Sequence, residues 1–302
     1  MSQQERIDFY NNWPTSKKFS AESEFKKHLE SFSGVIFQPI ALNLTLSTSG
    51  HISLSHVLDA LESLPMRPDH AFDWTWKAFE HSCKSAGKKL NTTELLRAYA
   101  TPTICSVINA DTLAISEISC IASKMPLQTA EYLLKKIIES KPYSVPKETL
   151  AKRLLLSNGN PKITSPALQA LLEKLETYDY TNTVDRRNGA SLIKKAMTGA
   201  KLQYPKGTFS LSQQEITFFL LSGLLYSFRN DRTHANAISP FKSSTAKIKT
   251  YAHCWYCFLL TYYFLSAIWK DNGYIDTKAT LGNNFTINNR AFTSLFGNHL
   301  GK

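Results

Sequence analysis

The residues of this chain best suited to chemistry are Arg229, Asn230 and His234, which stand in the spacing R-N-x-x-x-H. Histidine transfers protons readily because its ordinary pKa lies near neutrality. Arginine stays charged and presents a planar fork of N–H donors that matches phosphate oxygens. Asparagine does not titrate, and it can fix the tautomer of a histidine or donate to a phosphate. Together these residue types suit proton transfer at a phosphate group.

The group stands where a long apolar stretch ends. The segment EITFFLLSGLLYSF leads into it, and the pattern predicts a helix over 213–229. A loop with Pro240 follows, and then a second apolar helix is predicted over 245–270. Chance gives this spacing, with Asn directly after Arg, in roughly one such chain in seventy. In the alternative interpretation Arg229 and Asn230 satisfy carbonyls at a helix C-terminus, and His234 is a surface loop residue.

This arrangement resembles the HEPN family, the small all-α domains of many bacterial RNases, toxins and antiviral effectors. Their signature is an Arg, commonly a polar residue, and a His four to six residues later, between the last two long helices of the bundle. The matching residues here are Arg229, Asn230 and His234. The resemblance covers residues 211–270, and the early aromatic segment FDWTWKAFEHSCKSAG is also similar to a helix of some members.

The resemblance implies a metal-independent endoribonuclease without a cofactor. The ribose 2′-OH would attack its own phosphate, giving a 2′,3′-cyclic phosphate and a 5′-OH. We expect His234 to transfer the proton, Arg229 to stabilise the transition state, and Asn230 to orient these groups or the phosphate. Proton transfer of this kind contributes about 10²–10⁴-fold. The RNA target, tRNA or mRNA, and a role as toxin or antiphage defence effector follow from the family alone.

Other residues near the group are expected to contact RNA, and a partner is expected to complete the site. Arg232 and Lys242 would bind the RNA backbone, and Tyr226 would pack against a base or support the helix. One Arg–His pair has too few groups to act as proton acceptor, proton donor and cationic stabiliser at once. Family members solve this by dimerising, so the resemblance implies a homodimer with a composite cleft. It also implies control by a regulatory partner protein or another domain.

Charge and composition favour a nucleic-acid partner and a globular chain. The 302 residues carry a formal net charge of +11, and 43% of them are hydrophobic. Such a basic surplus favours a polyanion, with solubility as the alternative explanation. The first residues lack an apolar stretch and the five cysteines lack a disulfide pattern, so a reducing, cytoplasmic setting is expected. The uncharged segment 254–269 is predicted to be a buried helix and not a membrane span.

The middle of the chain supports a rival function. Residues 115–139 and 148–176 each predict a short helix, a turn and a second helix, which opens at Thr129 or Ser165. A helix-turn-helix of this kind can place its second helix in a DNA groove. The rival is therefore a DNA-binding regulatory protein or a non-catalytic RNA-binding interaction protein. The same region also suits a sensing or docking part of a nuclease.

The predicted fold is mainly α, a helical bundle with one small β element near the N-terminus. The alternation of Ile40, Leu42, Leu44 and Leu46 predicts a strand within 34–48. A helix is predicted over 53–64 with Val57, Leu58, Leu61 and Leu64 on one face, and another over 72–86 with Phe72, Trp76, Phe79 and Cys83 buried. Asn91, with Glu94 three residues later, is predicted to cap a helix, and Ser165 is predicted to cap a helix over 166–178. Residues 179–189 are predicted to be a linker. Four parts follow: an N-terminal arm, strand and helices (1–110), the helix-turn-helix-like region (111–185), the HEPN-like core (186–275) and a tail (276–302).

The remaining motifs predict packing and not chemistry. Cys254 and Cys257 form a CxxC on a buried helix beside His253, without the second ligand pair that structural zinc needs. The histidines between 51 and 81 show no metal-binding spacing. No phosphate-binding glycine motif and no nucleophile elbow occurs in the sequence. No metal and no nucleotide cofactor is therefore expected.

Overall fold

The computed structural model describes residues 3–12, 19–86, 89–140, 150–155, 165–234, 238–243 and 245–301. Most of this described chain is helical, as predicted, and its two β-strands form one short hairpin. The α-helices are α1 (Gln3–Asn11), α2 (Ser20–Glu30), α3 (Thr48–Ser63), α4 (Pro68–Ser85), α5 (Thr92–Leu95), α6 (Thr101–Asn109), α7 (Thr112–Ser123), α8 (Leu127–Ile138), α9 (Leu150–Leu155), α10 (Pro166–Leu175), α11 (Thr183–Ala196), α12 (Gln213–Phe218), α13 (Tyr226–Thr233), α14 (Ile248–Asp271) and α15 (Leu281–Phe296). Strands β1 (Leu202–Tyr204) and β2 (Gly207–Phe209) pair antiparallel.

Helix α14 is the centre of the fold. All its residues are buried except Lys249, Lys270 and Asp271, and α2, α4, α6, α8 and α15 pack around it. A helix that is apolar on every face must be covered on every face, and this explains the uncharged segment 254–269. The prediction of a buried helix there is confirmed. Among the described residues no single helix is long and apolar enough to cross a membrane; α5–α6 and α7 pass that test only together, across a 120° bend.

The helix that leads to the predicted site is continuous but not uniform. It begins at an N-cap, Ser212, whose hydroxyl accepts from the N–H of Glu215, while the Glu215 carboxylate accepts from the N–H of Ser212. It then runs through α12, a π-helical segment (Phe219–Leu225) and α13. The predicted helix over 213–229 is confirmed and extends to Thr233. A second π-helical segment, Leu96–Ala100, joins α5 to α6.

Other helix predictions are confirmed in detail. Ser165 caps α10 by accepting from the N–H of Leu168, with Pro166 as the first helical residue. Asn91 caps α5 by accepting from the N–H of Glu94. In α4, the predicted core residues Phe72, Trp76, Phe79 and Cys83 are all buried. In α3 the prediction fails at one position, because Leu58 is 52% exposed.

The predicted strand within 34–48 is wrong. The segment is extended, but it pairs at one place only, where Leu42 bridges Ile275. Side chains of α14 and α15 satisfy its backbone instead. The Tyr262 hydroxyl lies 2.7 Å from the N of Ile40, and Asn288 accepts from the N–H of Gln38 at 2.9 Å. The two-stranded hairpin at 202–209 was not predicted.

Two segments for which the sequence predicted no helix contain helices. Most of the predicted linker 179–189 belongs to α11, which Asn182 caps and which packs on α8. The predicted tail contains α15, which packs on α7 and α14. The buried residues of all four predicted parts, from Ala21 to Phe296, belong to one hydrophobic core. The predicted boundaries therefore do not coincide with separate cores.

Candidate active site

The end of α13 carries the predicted catalytic residues. The helix is fully buried from Ile216 to Phe228, and its exposure begins at Arg229 and Asn230. His234 follows the last turn and is exposed, and its backbone N–H donates to the carbonyl of Asn230 at 3.0 Å. The three residues therefore share the solvent-facing end of an otherwise buried helix.

Arg229 and Asn230 form one hydrogen-bonded unit. Nη1 of Arg229 donates to Oδ1 of Asn230 at 3.0 Å, and Nη2 lies 3.8 Å from Oε2 of Glu80. The guanidinium also stands 5.9 Å from the ring centre of Tyr226. With 26% of its side chain exposed, Arg229 is oriented by these neighbours and still accessible from solvent. A partly exposed pair at 3.8 Å is weak, so an incoming phosphate can compete with Glu80.

His234 is separate from that unit. Among the described residues, none hydrogen-bonds to its imidazole. The ring is thus oriented by no described partner within this chain. The structure places Arg229, Asn230 and His234 on one helix end, and it joins only the first two by side-chain contact.

The three residues predicted to contact RNA all have protein partners. Nε and Nη2 of Arg232 donate to the carboxylate of Asp73 at 2.6 and 2.5 Å, and Lys242 donates to Glu22 at 2.7 Å. The ring of Tyr226 is buried beside Trp76 and supports the helix. Because ion pairs and packing hold them, these residues are not included in the proposed phosphate-binding and catalytic group.

Arg232 belongs to a buried ionic network that fixes α13 to α4. Its Nη2 also donates to Asp69 at 3.2 Å, and Arg67 donates twice to the same carboxylate at 2.9 Å. Burial alone would raise the pKa of Asp69, but the Arg67 hydrogen bonds and the charge of Arg232 outweigh it and lower that pKa. The network holds the residues next to Arg232 in place.

A cleft of about 430 Å³ opens on the face of α13 that carries Asp231 and Arg232. Its walls come from α4, α8, α13, α14 and residues of the described ranges 238–243 and 245–246. The ionisable or aromatic side chains that line it are His70, Tyr132, Phe228, Asp231, Arg232 and His253. None of Arg229, Asn230 and His234 lines this cleft.

His253 lies at the buried wall of the cleft. Its Nδ1 lies 2.9 Å from Oγ1 of Thr129, and the residue is only 5% exposed. Burial, and secondarily the charge of Arg232, lowers the pKa of His253 to about 4. The imidazole is therefore neutral at physiological pH. The sequence signal for it was a histidine inside an otherwise apolar helix.

Asp231 is held at the rim of the same cleft. The Tyr132 hydroxyl donates to Oδ2 at 2.9 Å, and Nζ of Lys136 donates to Oδ1 at 2.9 Å. Burial, together with the Asp231 charge, raises the pKa of Tyr132 well above its ordinary value. Tyr132 therefore stays protonated and acts as a donor.

The cysteines show the packing that the sequence predicts. All five are free thiols, and Cys254 and Cys257 are fully buried in α14. Burial raises the pKa of both thiols well above the ordinary value, so they are not reactive thiolates. Across the described ranges, no group of three or more His, Cys, Asp or Glu side chains is placed to hold a metal ion.

The middle helices lack the free face that a DNA-reading helix needs. In α8 only Lys135 is exposed, and in α10 only Pro166 is exposed. Helices α10, α11 and α14 pack against α8, and α8, α9 and α11 pack against α10. A helix that enters a groove must offer several side chains to the bases. This burial disfavours the DNA-binding hypothesis for both segments; residues 156–164, which include the second turn, lie outside the described chain.

No protein-family model, curated protein or solved structure matches this chain. The resemblance to the HEPN family therefore stays a prediction, which rests on Arg229, Asn230, His234 and the two helices that flank them.

Proposed function

We propose that this chain is a metal-independent, HEPN-like endoribonuclease whose site is the exposed end of α13. The observation that carries the proposal is the placement of Arg229, Asn230 and His234. They stand at the point where a buried helix reaches solvent, and Asn230 orients the Arg229 guanidinium. The basic surplus of the chain, +11, favours a polyanionic substrate.

In the proposed reaction, His234 takes the proton from the ribose 2′-OH as that oxygen attacks the adjacent phosphorus. The bond from phosphorus to the 5′-oxygen breaks, and that oxygen receives a proton. The products are a 2′,3′-cyclic phosphate and a 5′-OH. Arg229 donates to the non-bridging oxygens, whose negative charge grows in the transition state.

A second copy of the chain supplies what one site lacks. Because no described residue orients the imidazole of His234, the described part of one chain does not hold acid, base and cation in a fixed arrangement. We propose that two α13 ends face each other in a homodimer, so that one His234 accepts a proton and the other donates one. The HEPN resemblance further suggests a toxin or antiphage effector acting on tRNA or mRNA, held in check by a regulatory partner.

The test is RNA cleavage by the purified protein in EDTA, with total tRNA and a long single-stranded RNA as substrates. His234→Ala and Arg229→Ala are each expected to lower the rate by at least 10²-fold. His51→Ala is the matched control, because His51 is also exposed but lies on α3. Analysis of the products should show cyclic phosphate ends. Wild-type protein that binds RNA without cutting it would favour a non-catalytic binding protein, and cutting that survives both variants would place the site elsewhere.

A further inference from the structure

The cleft beside α13 is a separate feature from the proposed catalytic end. It has a volume of about 430 Å³, within the range of roughly 300–1,000 Å³ that is usual for small-ligand pockets. It is built by elements far apart in sequence, including α4, α8 and α14. The cleft lies next to the proposed catalytic end, because its residues Asp231 and Arg232 directly follow Asn230 on α13.

Two side chains that line the cleft, His253 and Arg232, each have a polar atom without a hydrogen-bond partner among the described residues. Oγ1 of Thr129 lies within hydrogen-bond distance of Nδ1 of His253, and no described residue hydrogen-bonds to Nε2 of His253. Asp69 and Asp73 hold Nε and Nη2 of Arg232, and no described residue bonds to its Nη1. Both side chains are fixed before any ligand arrives, so a ligand that pairs with them pays little ordering entropy.

The charges around the cleft balance, which decides the class of ligand. Three cations (Arg67, Arg232 and Lys136) are paired with three carboxylates (Asp69, Asp73 and Asp231). The buried His253 adds no charge at neutral pH. A phosphate group would meet little net attraction there. An uncharged group with several hydrogen-bonding edges meets matched donors and acceptors instead.

The remaining wall suits a flat ring. Phe228, Ile238 and Pro240 supply apolar surface. The amide of Gln128 adds an NH₂ donor group, while its oxygen already accepts from the hydroxyl of Thr250 at 3.4 Å. A planar heterocycle with polar edges can pack its face on this apolar surface and hydrogen-bond to the polar groups through its edge. RNA-binding proteins read single-stranded bases in this way, by packing the ring and hydrogen-bonding its edge.

We propose that this cleft binds one nucleobase, held by Nε2 of His253, Nη1 of Arg232 and the amide of Gln128. The base belongs either to a free nucleoside or to an RNA strand whose phosphate lies at the end of α13. The second case deepens the proposed ribonuclease function and gives it a base preference. The binding itself does not require cleavage.

The first arm of the test is calorimetric titration with adenosine, cytidine, guanosine and uridine. At least one nucleoside should bind, and binding should change less than twofold between 50 and 300 mM salt. Thr245→Trp should weaken it at least tenfold, because Thr245 is an exposed cleft residue and the indole would fill the space. Thr208→Trp, on the exposed hairpin, should leave it unchanged. Displacement by inorganic phosphate would overturn the assignment to a base.

The second arm uses short single-stranded RNA and His234→Ala protein, so that cleavage plays no part. Removing one base at a time should weaken binding at least tenfold at one position, and Gln128→Leu should abolish that preference. Circular dichroism should show both cleft variants folded. If no nucleoside binds and no base removal matters, the inference is wrong, whatever the outcome of the cleavage assay. If both cleft variants bind like wild type, the inference is also wrong.

Discussion

At the scale of single residues, the partners of a side chain decide what it can do. Arg229 and Arg232 lie on one helix only three positions apart. Arg232 has two carboxylates within hydrogen-bond distance and 14% of its side chain exposed. Arg229 has a neutral asparagine and one carboxylate at 3.8 Å. Of these two arginines, only Arg229 is therefore available to a phosphate. Residue type and spacing in the sequence do not reveal this difference.

His253 predicts how stability changes with pH. Its pKa is about 4 in the folded chain, below the ordinary 6.5, because it is buried and near Arg232. Between these values the unfolded chain binds a proton that the folded chain does not. The contribution of His253 to the free energy of unfolding should therefore be fully present above about pH 6.5. It should fall by about 3 kcal/mol as the pH drops to 4.

The measurement is urea denaturation of wild type and His253→Asn at several pH values from 4 to 7.5. Asparagine keeps a polar atom near Thr129 but does not titrate, so the slope over this window should flatten. His51→Asn, at an exposed position, should keep the wild-type slope. Asp69, whose pKa is lowered by Arg67 and Arg232, is present in wild type and variant alike, so it does not affect the comparison of their slopes. An unchanged slope in His253→Asn would show that the buried imidazole does not cause the effect.

At the scale of elements, the sequence predicts helices with strong apolar periodicity or capping residues. The helices over 213–229 and 245–270 and the cap at Ser165 are such cases. The helix end that bears Arg229 and His234 could be predicted from the sequence for the same reason. The cleft could not, since His70, Tyr132, Arg232 and His253 meet only after four separate helices pack.

Helix α15 shows why a buried element can be missed. Its sequence, LGNNFTINNRAFTSLF, contains asparagines that resemble a polar loop. In the structure Asn288 and Asn289 are buried and paired. Asn288 donates to the carbonyl of Gln38, and Asn289 donates to Glu117 and accepts from the Tyr263 hydroxyl. The partners that make burial of these amides favourable are distant in sequence, so local pattern cannot indicate them.

The close packing of α15 on α7 predicts the effect of a glycine substitution. A Cβ at Gly282 would stand 2.6 Å from Cβ of Leu113 and 2.9 Å from the backbone N of Ala114. Because backbone cannot yield as a side chain does, Gly282→Ala should destabilise the fold by about 1–3 kcal/mol. Gly223→Ala is the control, since its nearest neighbour is 3.6 Å away. Urea denaturation should show a loss of stability in Gly282→Ala only. If Gly282→Ala were as stable as wild type, α15 would be able to shift relative to α7.

At the scale of the whole molecule, one core joins parts that the sequence suggests are separate. Helix α14 contacts helices from every predicted part, and α15 closes one side of it. The exposed end of α13 and the cleft both depend on α14 or its neighbours for position. The site is therefore a property of the whole chain, and a fragment limited to the HEPN-like residues should not reproduce it.

Deleting residues 276–302 tests this dependence directly. The deletion removes Leu281, Phe285, Phe292, Leu295 and Phe296, which are all buried. At about 1.5–3 kcal/mol for each side chain, their burial contributes about as much as the whole stability of a typical domain, roughly 5–15 kcal/mol. The truncated chain should lose its cooperative urea transition, as followed by circular dichroism.

The matched control deletes residues 1–12, the other end of the chain. Helix α1 leaves Ile7 51% and Tyr10 81% exposed, and Arg6 donates one hydrogen bond, to the carbonyl of Lys242. Removing so little buried surface should lower stability only slightly and keep a single transition. Cooperative unfolding of chain 1–275 would instead show that α15 packs on an already stable core. In that case the boundary predicted at residue 275 would be a real one, and RNA cleavage by chain 1–275 would be the next experiment.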